Sequence, residues 1–235
     1  MTVSLLSTII GSLLFATAII EGLRMIRPSK ELETVRTRLR TWWCISLVLI
    51  ATVATGSWAI HGLIFLLLLQ SFRELLVLPV SGTAATALLL LYGIVILPAG
   101  LFSLAVIGDT VGDSLLAVFF LTALNDIFQY LSGKAFGKRK LAPVISPNKT
   151  WEGFLGGVIA TAVASVFFTL FESALFGAAV SLFGTIGDLA VSTLKRAAKV
   201  KDTGTFLPGH GGILDRLDSL VTVAPFVLAW LRFKN

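Results

Sequence analysis

Long apolar runs, broken by short polar stretches, limit what this chain can fold into more than any other feature of its sequence. A run of about 20 apolar residues is what a helix needs to cross the hydrocarbon core of a bilayer. In that core every backbone N–H and C=O must be satisfied within the protein, and a helix does this segment by segment. The composition agrees: 56% of the 235 residues are hydrophobic and 14% are charged, against about 25% charged in soluble domains. The sequence therefore predicts an all-α integral membrane protein, a polytopic bundle of about eight transmembrane helices.

Residues 3–23 read as a first helix. No basic stretch precedes it, as one would in a cleaved signal peptide, so it is expected to be retained with its N-terminus outside. Residues 24–40 carry Arg24, Arg27, Lys30, Arg36, Arg38 and Arg40 beside Glu31 and Glu33, and read as an amphipathic linker at the cytoplasmic face. The apolar stretch 42–72 is long for one span; Gly56 and Gly62 suggest two short or tilted helices joined by a tight turn, with His61 at a turn or interface. A further helix follows Pro79 and reaches residue 97, and 98–113, with Asp109 and Asp113 but no Lys or Arg, reads as a solvated outer loop. Residues 114–131 form a helix containing Asn125 and Asp126; a carboxylate within a span is costly and marks a functional position. The segment 133–151 is basic, broken by Pro143 and Pro147, and expected to be non-helical. Trp151 and Glu152 open the next helix, whose Gly153, Gly156 and Gly157 favour close helix contact. Glu172 and Ser173 mark an outer turn, 174–191 returns with Asp188 near its inner end, and 219–231 closes the chain.

This path puts the three most basic loops, 24–40, 134–149 and 195–216, on the cytoplasmic side, with Arg232 and Lys234 opposite. The net charge of +6 then records topology and contact with anionic lipid or phosphate, not nucleic-acid binding. The single Cys44 excludes an intramolecular disulfide and a cysteine-rich metal site, and reads as membrane packing.

Residues 192–218 stand apart from the rest. They hold Ser192, Lys195, Arg196, Lys199, Lys201, Asp202, His210, Asp215, Arg216 and Asp218 around the turn Pro208-Gly209-His210-Gly211-Gly212. Cations, exposed N–H groups and carboxylates in one loop are the ingredients of a phosphate and divalent-metal site. Asp215 and Asp218 are three apart and share a face of any helical turn. The topology gathers Asp126, Asp188, Asp215 and Asp218 on the inner side, near the Ser146-Pro147-Asn148-Lys149-Thr150 stretch. Carboxylates without cysteines suit a hard cation such as Mg²⁺. Such a site in a membrane points to phosphoryl or nucleotidyl transfer on a lipid. No GxxxxGK[ST] loop is present, which disfavours a Walker-type ATPase.

These residues also carry a resemblance. Ser192-x-x-Lys195-Arg196, Lys201-Asp202 and His210-Gly211-Gly212-x-x-Asp215-Arg216-x-Asp218 resemble the C-terminal motif of the phosphatidate cytidylyltransferase (CDP-diacylglycerol synthase) family. Ser146-Pro147-x-Lys149-Thr150-Trp151-Glu152-Gly153 resembles a second stretch of that family. Asn125-Asp126, with Tyr130 and Gly133, resembles its Asp-containing helix, although Ile127-Phe128-Gln129 replaces smaller residues. The resemblance covers residues 120–220, and the first hundred residues match only as apolar spans.

The resemblance implies a nucleotidyltransferase that makes CDP-diacylglycerol and pyrophosphate from CTP and phosphatidic acid. It implies Mg²⁺ with a second cation, K⁺ in that family, and a homodimer. By the same resemblance Asp188, Asp215, Asp218, Lys201 and Asp202 would serve the chemistry, and Asp126, Asp188, Asp215 and Asp218 the metal. Ser146, Lys149, Thr150, Ser192, Lys195, Arg196, His210, Gly211, Gly212 and Arg216 would hold substrate. One membrane domain results, with 1–120 as scaffold and possible dimer contact and 121–235 as the catalytic region, in a prokaryotic inner membrane with the site facing the cytoplasm. Other readings are a CTP-using polyprenol kinase, a cytidylyltransferase for another lipid phosphate, a CDP-lipid binder without turnover, and an ion-coupled transporter. A transporter should show polar residues along a transmembrane path, whereas here they cluster at one end. The DG-x-x-A-R motif of CDP-alcohol phosphotransferases is absent.

Overall fold

Helices make up nearly all of the computed structural model, which describes residues 3–26, 30–110, 112–167, 173–207 and 211–234. Helix α1 (Val3–Ile26) lies antiparallel to α2 (Lys30–Thr55). Arg36 Nε reaches Glu21 Oε1 at 2.7 Å, and Trp43 Nε1 donates to Thr17 Oγ1 at 3.0 Å. Gly56, with φ of 106°, separates α2 from α3 (Ser57–Val77) in a conformation that side chains disfavour. Helix α4 (Thr83–Leu91) runs through one π-helical turn, Tyr92–Ile96, into α5 (Leu97–Thr110). The wide turn precedes Pro98, whose ring crowds the carbonyl one turn back and which offers no N–H to it.

Helix α6 (Gly112–Phe136) leads to an antiparallel hairpin, β1 (Lys140–Ala142) and β2 (Ser146–Thr150), paired as Lys140 with Thr150 and Ala142 with Ser146. Helices α7 (Trp151–Phe167) and α8 (Ala174–Ala197) follow, then the short α9 (Leu214–Leu217) and α10 (Leu220–Lys234).

Lipid tails are as apolar as leucine, so helices in a membrane associate through close packing and polar contacts instead of hydrophobic drive. The α6–α7–α8 layer follows that rule. A Cβ on Gly153 would come within 2.6 Å of Gln129 O, and one on Gly157 within 2.5 Å of Asn125 Oδ1. Buried Asn125 accepts from Ser181 Oγ at 2.6 Å, and Gln129 Nε2 donates to Thr185 Oγ1 at 2.7 Å, so polar side chains tie α6 to α8. On the other side Gly100 of α5 packs on the Val221 backbone of α10, and Phe176 stacks on Phe226 between α8 and α10. The core between them holds Leu97, Leu101, Leu116, Leu121, Val180 and Leu194.

Among the described residues, four helices have the length and apolar composition to cross a membrane: Ser57–Val77, Thr83–Thr110, Asp113–Phe136 and Ala174–Ala197. Shorter apolar stretches lie at Ile9–Gly22, Leu39–Thr55 and Trp151–Val166. Several sequence expectations change. Residues 30–40 are not a linker but the first turns of α2, because their charges occupy helical positions and the apolar run simply continues them. Residues 98–113 are not an outer loop: α5 runs to Thr110 and α6 starts at Gly112. Asp109 there accepts from Ser57 Oγ, and its Oδ2 lies 3.4 Å from His61 Nε2. His61 accordingly sits within α3, and Gly62 is helical, so the break in 42–72 falls at Gly56 alone. Residues 140–150 are not merely irregular but form the hairpin, a small departure from the all-α expectation. Arg27 and Glu172 lie outside the described residues.

Helix α8 ends at Ala197, and the chain leaves it through Lys199, whose φ is 56°, with Val200 N bonded to Lys195 O at 2.9 Å. A lysine in this left-handed conformation is strained, where glycine is the usual residue. Lys199→Gly is expected to raise the unfolding free energy by about 1 kcal/mol without loss of turnover, read by thermal unfolding in detergent.

Candidate active site

Helix α8 presents Asp188, Ser192 and Lys195 at four- and three-residue steps, which places them on one face. Ser192 Oγ donates to Asp188 Oδ1 at 3.0 Å, and Lys149 Nζ lies 2.6 Å from Asp188 Oδ2. Lys149 comes from β2, and the hairpin that carries it is fixed at both ends. Glu152 at the start of α7 accepts the backbone N–H of Lys138 at 3.0 Å and of Arg139 at 3.2 Å. Arg196 Nε donates to Ile145 O at 3.1 Å and so ties the hairpin to α8. Thr150 is buried, and its hydroxyl accepts the Gly153 N–H at 3.1 Å as a cap of α7. Ser146 lies at the hairpin's inner register position opposite Ala142.

Asp215 on α9 is 4% exposed and fully engaged. Its Oδ1 meets Lys195 Nζ at 2.7 Å. Its Oδ2 accepts from Thr203 N at 2.8 Å, Thr203 Oγ1 at 3.0 Å and Gly212 N at 2.9 Å. Gly211, with φ of 82°, turns the chain so closely that a Cβ there would lie 2.6 Å from Asp215 Oδ2. A buried charge survives only if paired and hydrogen-bonded, and this one is both.

Asp218 follows α9, buried, and accepts the Ser219 N–H at 2.7 Å. Burial first, then the charges of Asp188 and Asp126, push its carboxyl well above the usual carboxylate range, against the pull of Arg216 and Lys195. Asp126 lies ten residues before the end of α6 and Asp188 nine before the end of α8, which sinks both by roughly 14–15 Å from the helix ends. Asp126, Asp188 and Asp218 act on one another as like charges, offset by Lys149, Lys195 and Arg216, and carboxylate oxygens are the donors that a hard cation takes. Among the described residues no three Asp, Glu, His or Cys side chains converge into a finished cage. A small divalent cation that keeps waters and takes one or two carboxylates along with substrate oxygens fits this arrangement.

Beside the carboxylates opens a cavity of about 410 Å³. Its lining is mostly apolar, with Trp42, Leu49, Ile64, Leu67 and Phe119 among it, and also includes Asp126, Asp215, Arg216 and Asp218.

The fold thus brings together Asp126, Asp188, Asp218, Lys149, Ser192, Lys195, Asp215, Arg216, Gly211 and Gly212, drawn from α6, the hairpin, α8 and α9. Lys201 and Asp202 are exposed on the loop between α8 and α9, with Asp202 packed beside Gly211. His210 lies outside the described residues. Two residues that sequence reasoning passed over join the site. Glu74, at the end of α3, is buried and accepts the N–H groups of Ile213 and Leu214 at 2.9 and 3.0 Å. Tyr92, in the π turn, is wholly buried, its hydroxyl has no partner among the described residues, and it lies within the field of Asp218 and Asp188. An acidic residue closing an apolar run and a π-helical turn are the signals that mark them, and only the first is visible in sequence.

Fold and site together define a helical membrane protein with a polar centre of carboxylates and cations set against an apolar chamber. The chain belongs to the cytidylyltransferase family, which it matches over residues 4–234. It is 44% identical over 131 residues to Escherichia coli (strain K12) "Uncharacterized protein YnbB", covering 52% of this chain and 44% of that protein. It is 43% identical over 124 residues to Haemophilus influenzae phosphatidate cytidylyltransferase, covering 48% of this chain and 43% of the relative. With the Bacillus subtilis phosphatidate cytidylyltransferase the identity is 50% over 111 residues, 44% of this chain and 41% of the relative. The chain thus aligns with less than half the length of these curated relatives.

Proposed function

We propose that the protein transfers the cytidylyl group of CTP to phosphatidic acid, giving CDP-diacylglycerol and pyrophosphate for phospholipid synthesis. The observation that carries this reading is the continuity between the polar centre and the apolar cavity. A substrate that fills both must have an anionic head and a hydrocarbon body, which is the chemistry of a lipid phosphate. Names of relatives at 43% and 50% identity support the choice of phosphatidate.

The lipid phosphate attacks the α-phosphorus of CTP as the bond to pyrophosphate breaks. A phosphate monoester is largely ionised at neutral pH, so no strong general base is needed. The protein's part is positioning and charge neutralisation. Arg216, which lines the cavity, meets the lipid phosphate. Lys149, Lys195, Arg196 and Lys201 offer cations to the triphosphate, with Ser146, Thr150, Ser192, His210, Gly211 and Gly212 shaping the pocket around it. Asp126, Asp188 and Asp218 would hold Mg²⁺, with Asp215 keeping Lys195 in place beside them. That ion, when bound, neutralises phosphate oxygens as charge moves onto the leaving pyrophosphate; K⁺ is the second cation of this reading. Asp202 completes the loop that covers the nucleotide.

In the membrane the reading has eight passes, α1, α2, α3, α4 with α5, α6, α7, α8 and α10, in a bacterial inner membrane with the polar centre facing the cytoplasm. The basic residues Lys134, Lys138, Arg139 and Lys140 beside the site support that orientation. A homodimer through the N-terminal helices belongs to the same proposal, checked by light scattering in detergent.

The test is turnover of labelled CTP with phosphatidic acid in liposomes. Mg²⁺-dependent CDP-diacylglycerol and pyrophosphate, abolished by chelation and restored by Mg²⁺, is the expected result. Release of CDP with a newly phosphorylated lipid would establish a kinase instead. Folded protein that gives neither with several lipid phosphates would overturn the reading.

A further inference from the structure

The geometry points to Glu74 as a positioning residue of the active site, reaching from α3 to fix the turn that carries Asp215, Arg216 and Asp218. The sequence distance is large: Glu74 bonds to residues 139 and 140 positions away. Helix α9 has four residues, and its N-cap, Ile213, supplies no side-chain hydrogen bond. The orphan N–H groups that open any helix therefore need another acceptor. Glu74 provides it, with Oε1 2.9 Å from Ile213 N and Oε2 3.0 Å from Leu214 N.

The same carboxylate also holds the loop before α9. Thr203 Oγ1 lies 2.8 Å from Glu74 Oε2 and 3.0 Å from Asp215 Oδ2, so its single proton is shared between the two acids, with the shorter contact to Glu74. Gln70, one turn earlier on α3, donates to Glu74 Oε1 at 3.1 Å and orients it. All four donors, Gln70, Thr203, Ile213 and Leu214, are neutral. The surroundings are shaped for the carboxylate: a Cβ on Gly204 would come within 3.1 Å of Glu74 Oε1, and one on Gly212 would overlap Oε2. Among the described residues the ion pairs of Lys195 and Asp188 are with Asp215 and Lys149; Glu74 acts through Thr203 and the α9 turn. Gln70, Ile64 and Leu67 of the same helix line the apolar cavity. Helix α3 thus joins the wall of the lipid chamber to the turn that bears the reacting-end charges, in one rigid element.

This inference rests on the proposed transfer reaction for its kinetic arm only. Glu74→Gln keeps the side-chain volume but turns an N–H₂ toward N–H donors, and Glu74→Asp keeps the charge with a shorter reach. In full-length protein in detergent, Glu74→Gln is expected to lower kcat by about tenfold to a hundredfold, the effect of displacing groups by an ångström or so. KM for phosphatidic acid should rise only a fewfold, less than kcat falls, since the apolar wall is intact and only the Arg216 contact loosens, and Glu74→Asp should recover part of kcat. Hydrogen exchange should quicken at Ile213, Leu214 and Thr203 while α8 and α6 stay protected. Unchanged kcat with unchanged exchange in the Gln variant would overturn the proposal. So would a loss in which exchange quickens throughout the bundle and no part of kcat returns with Asp, because Glu74 would then be a general stabiliser. If the wild type transfers no cytidylyl group, the function reading fails and the exchange pattern alone decides whether Glu74 holds the turn.

Discussion

Asp188→Asn is expected to lower CDP-diacylglycerol formation by about a hundred- to a thousandfold, the range seen when one preorganised electrostatic group is removed. Asn preserves the size of the side chain and still accepts from Ser192 Oγ, now at 3.0 Å from Oδ1 of the acid. What it removes is the charge that faces Lys149 Nζ at 2.6 Å and stands beside Asp126 and Asp218. In the proposed reaction a cation held by these carboxylates would lose a ligand charge, and Lys149 loses the carboxylate that fixes its place. The measurement is initial rate against Mg²⁺ concentration in liposomes. A higher Mg²⁺ requirement together with a lower maximal rate is expected. A variant as fast as wild type at ordinary Mg²⁺ would take Asp188 out of the metal centre.

Asp215 separates fold from chemistry. Asp215→Ala is expected to cost about 3–5 kcal/mol of stability, because it strands a buried lysine without its counter-charge. The side chains of Lys195 and Asp215 are 12% and 2% exposed, so water cannot take over. Thr203 N and Gly212 N lose their acceptor at the same time. Replacing both charges, as Lys195→Met with Asp215→Leu, should recover part of that stability, since a paired removal leaves no orphan charge. It should recover none of the turnover if Lys195 meets phosphate. Thermal unfolding and CTP turnover on the two single variants and the double variant form the cycle. Activity that returned with stability in the double variant would mean that the pair only holds the loop.

Much of this was legible in one dimension. The apolar runs announced helices, because a bilayer-length run has few other ways to satisfy its backbone. A break within 42–72 was readable from its two glycines, though not which of them makes it, and Asp126 stood out because a charge in an apolar span needs an explanation. Residues 98–113 misled, because Asp109 and Asp113 look like loop residues when their partners are unseen. Ser57 and His61 meet Asp109 from another helix, and that contact lets α5 continue. The basic residues 30–40 misled in the opposite way, since charge marks a membrane boundary but does not prevent a helix from starting there.

The site divides along the same line. The sequence by itself determined the helical membrane class, the basic stretches and which acids and cations the chain can offer, because these depend on composition and local spacing. Only the tertiary structure decided which acid meets which cation: Lys149 with Asp188, Lys195 with Asp215, and Glu74 beneath α9. Those pairings join residues 20 to 140 positions apart. Their geometry follows from how closely α6, α7 and α8 pack and where α3 ends, and no local pattern encodes a distance between helices.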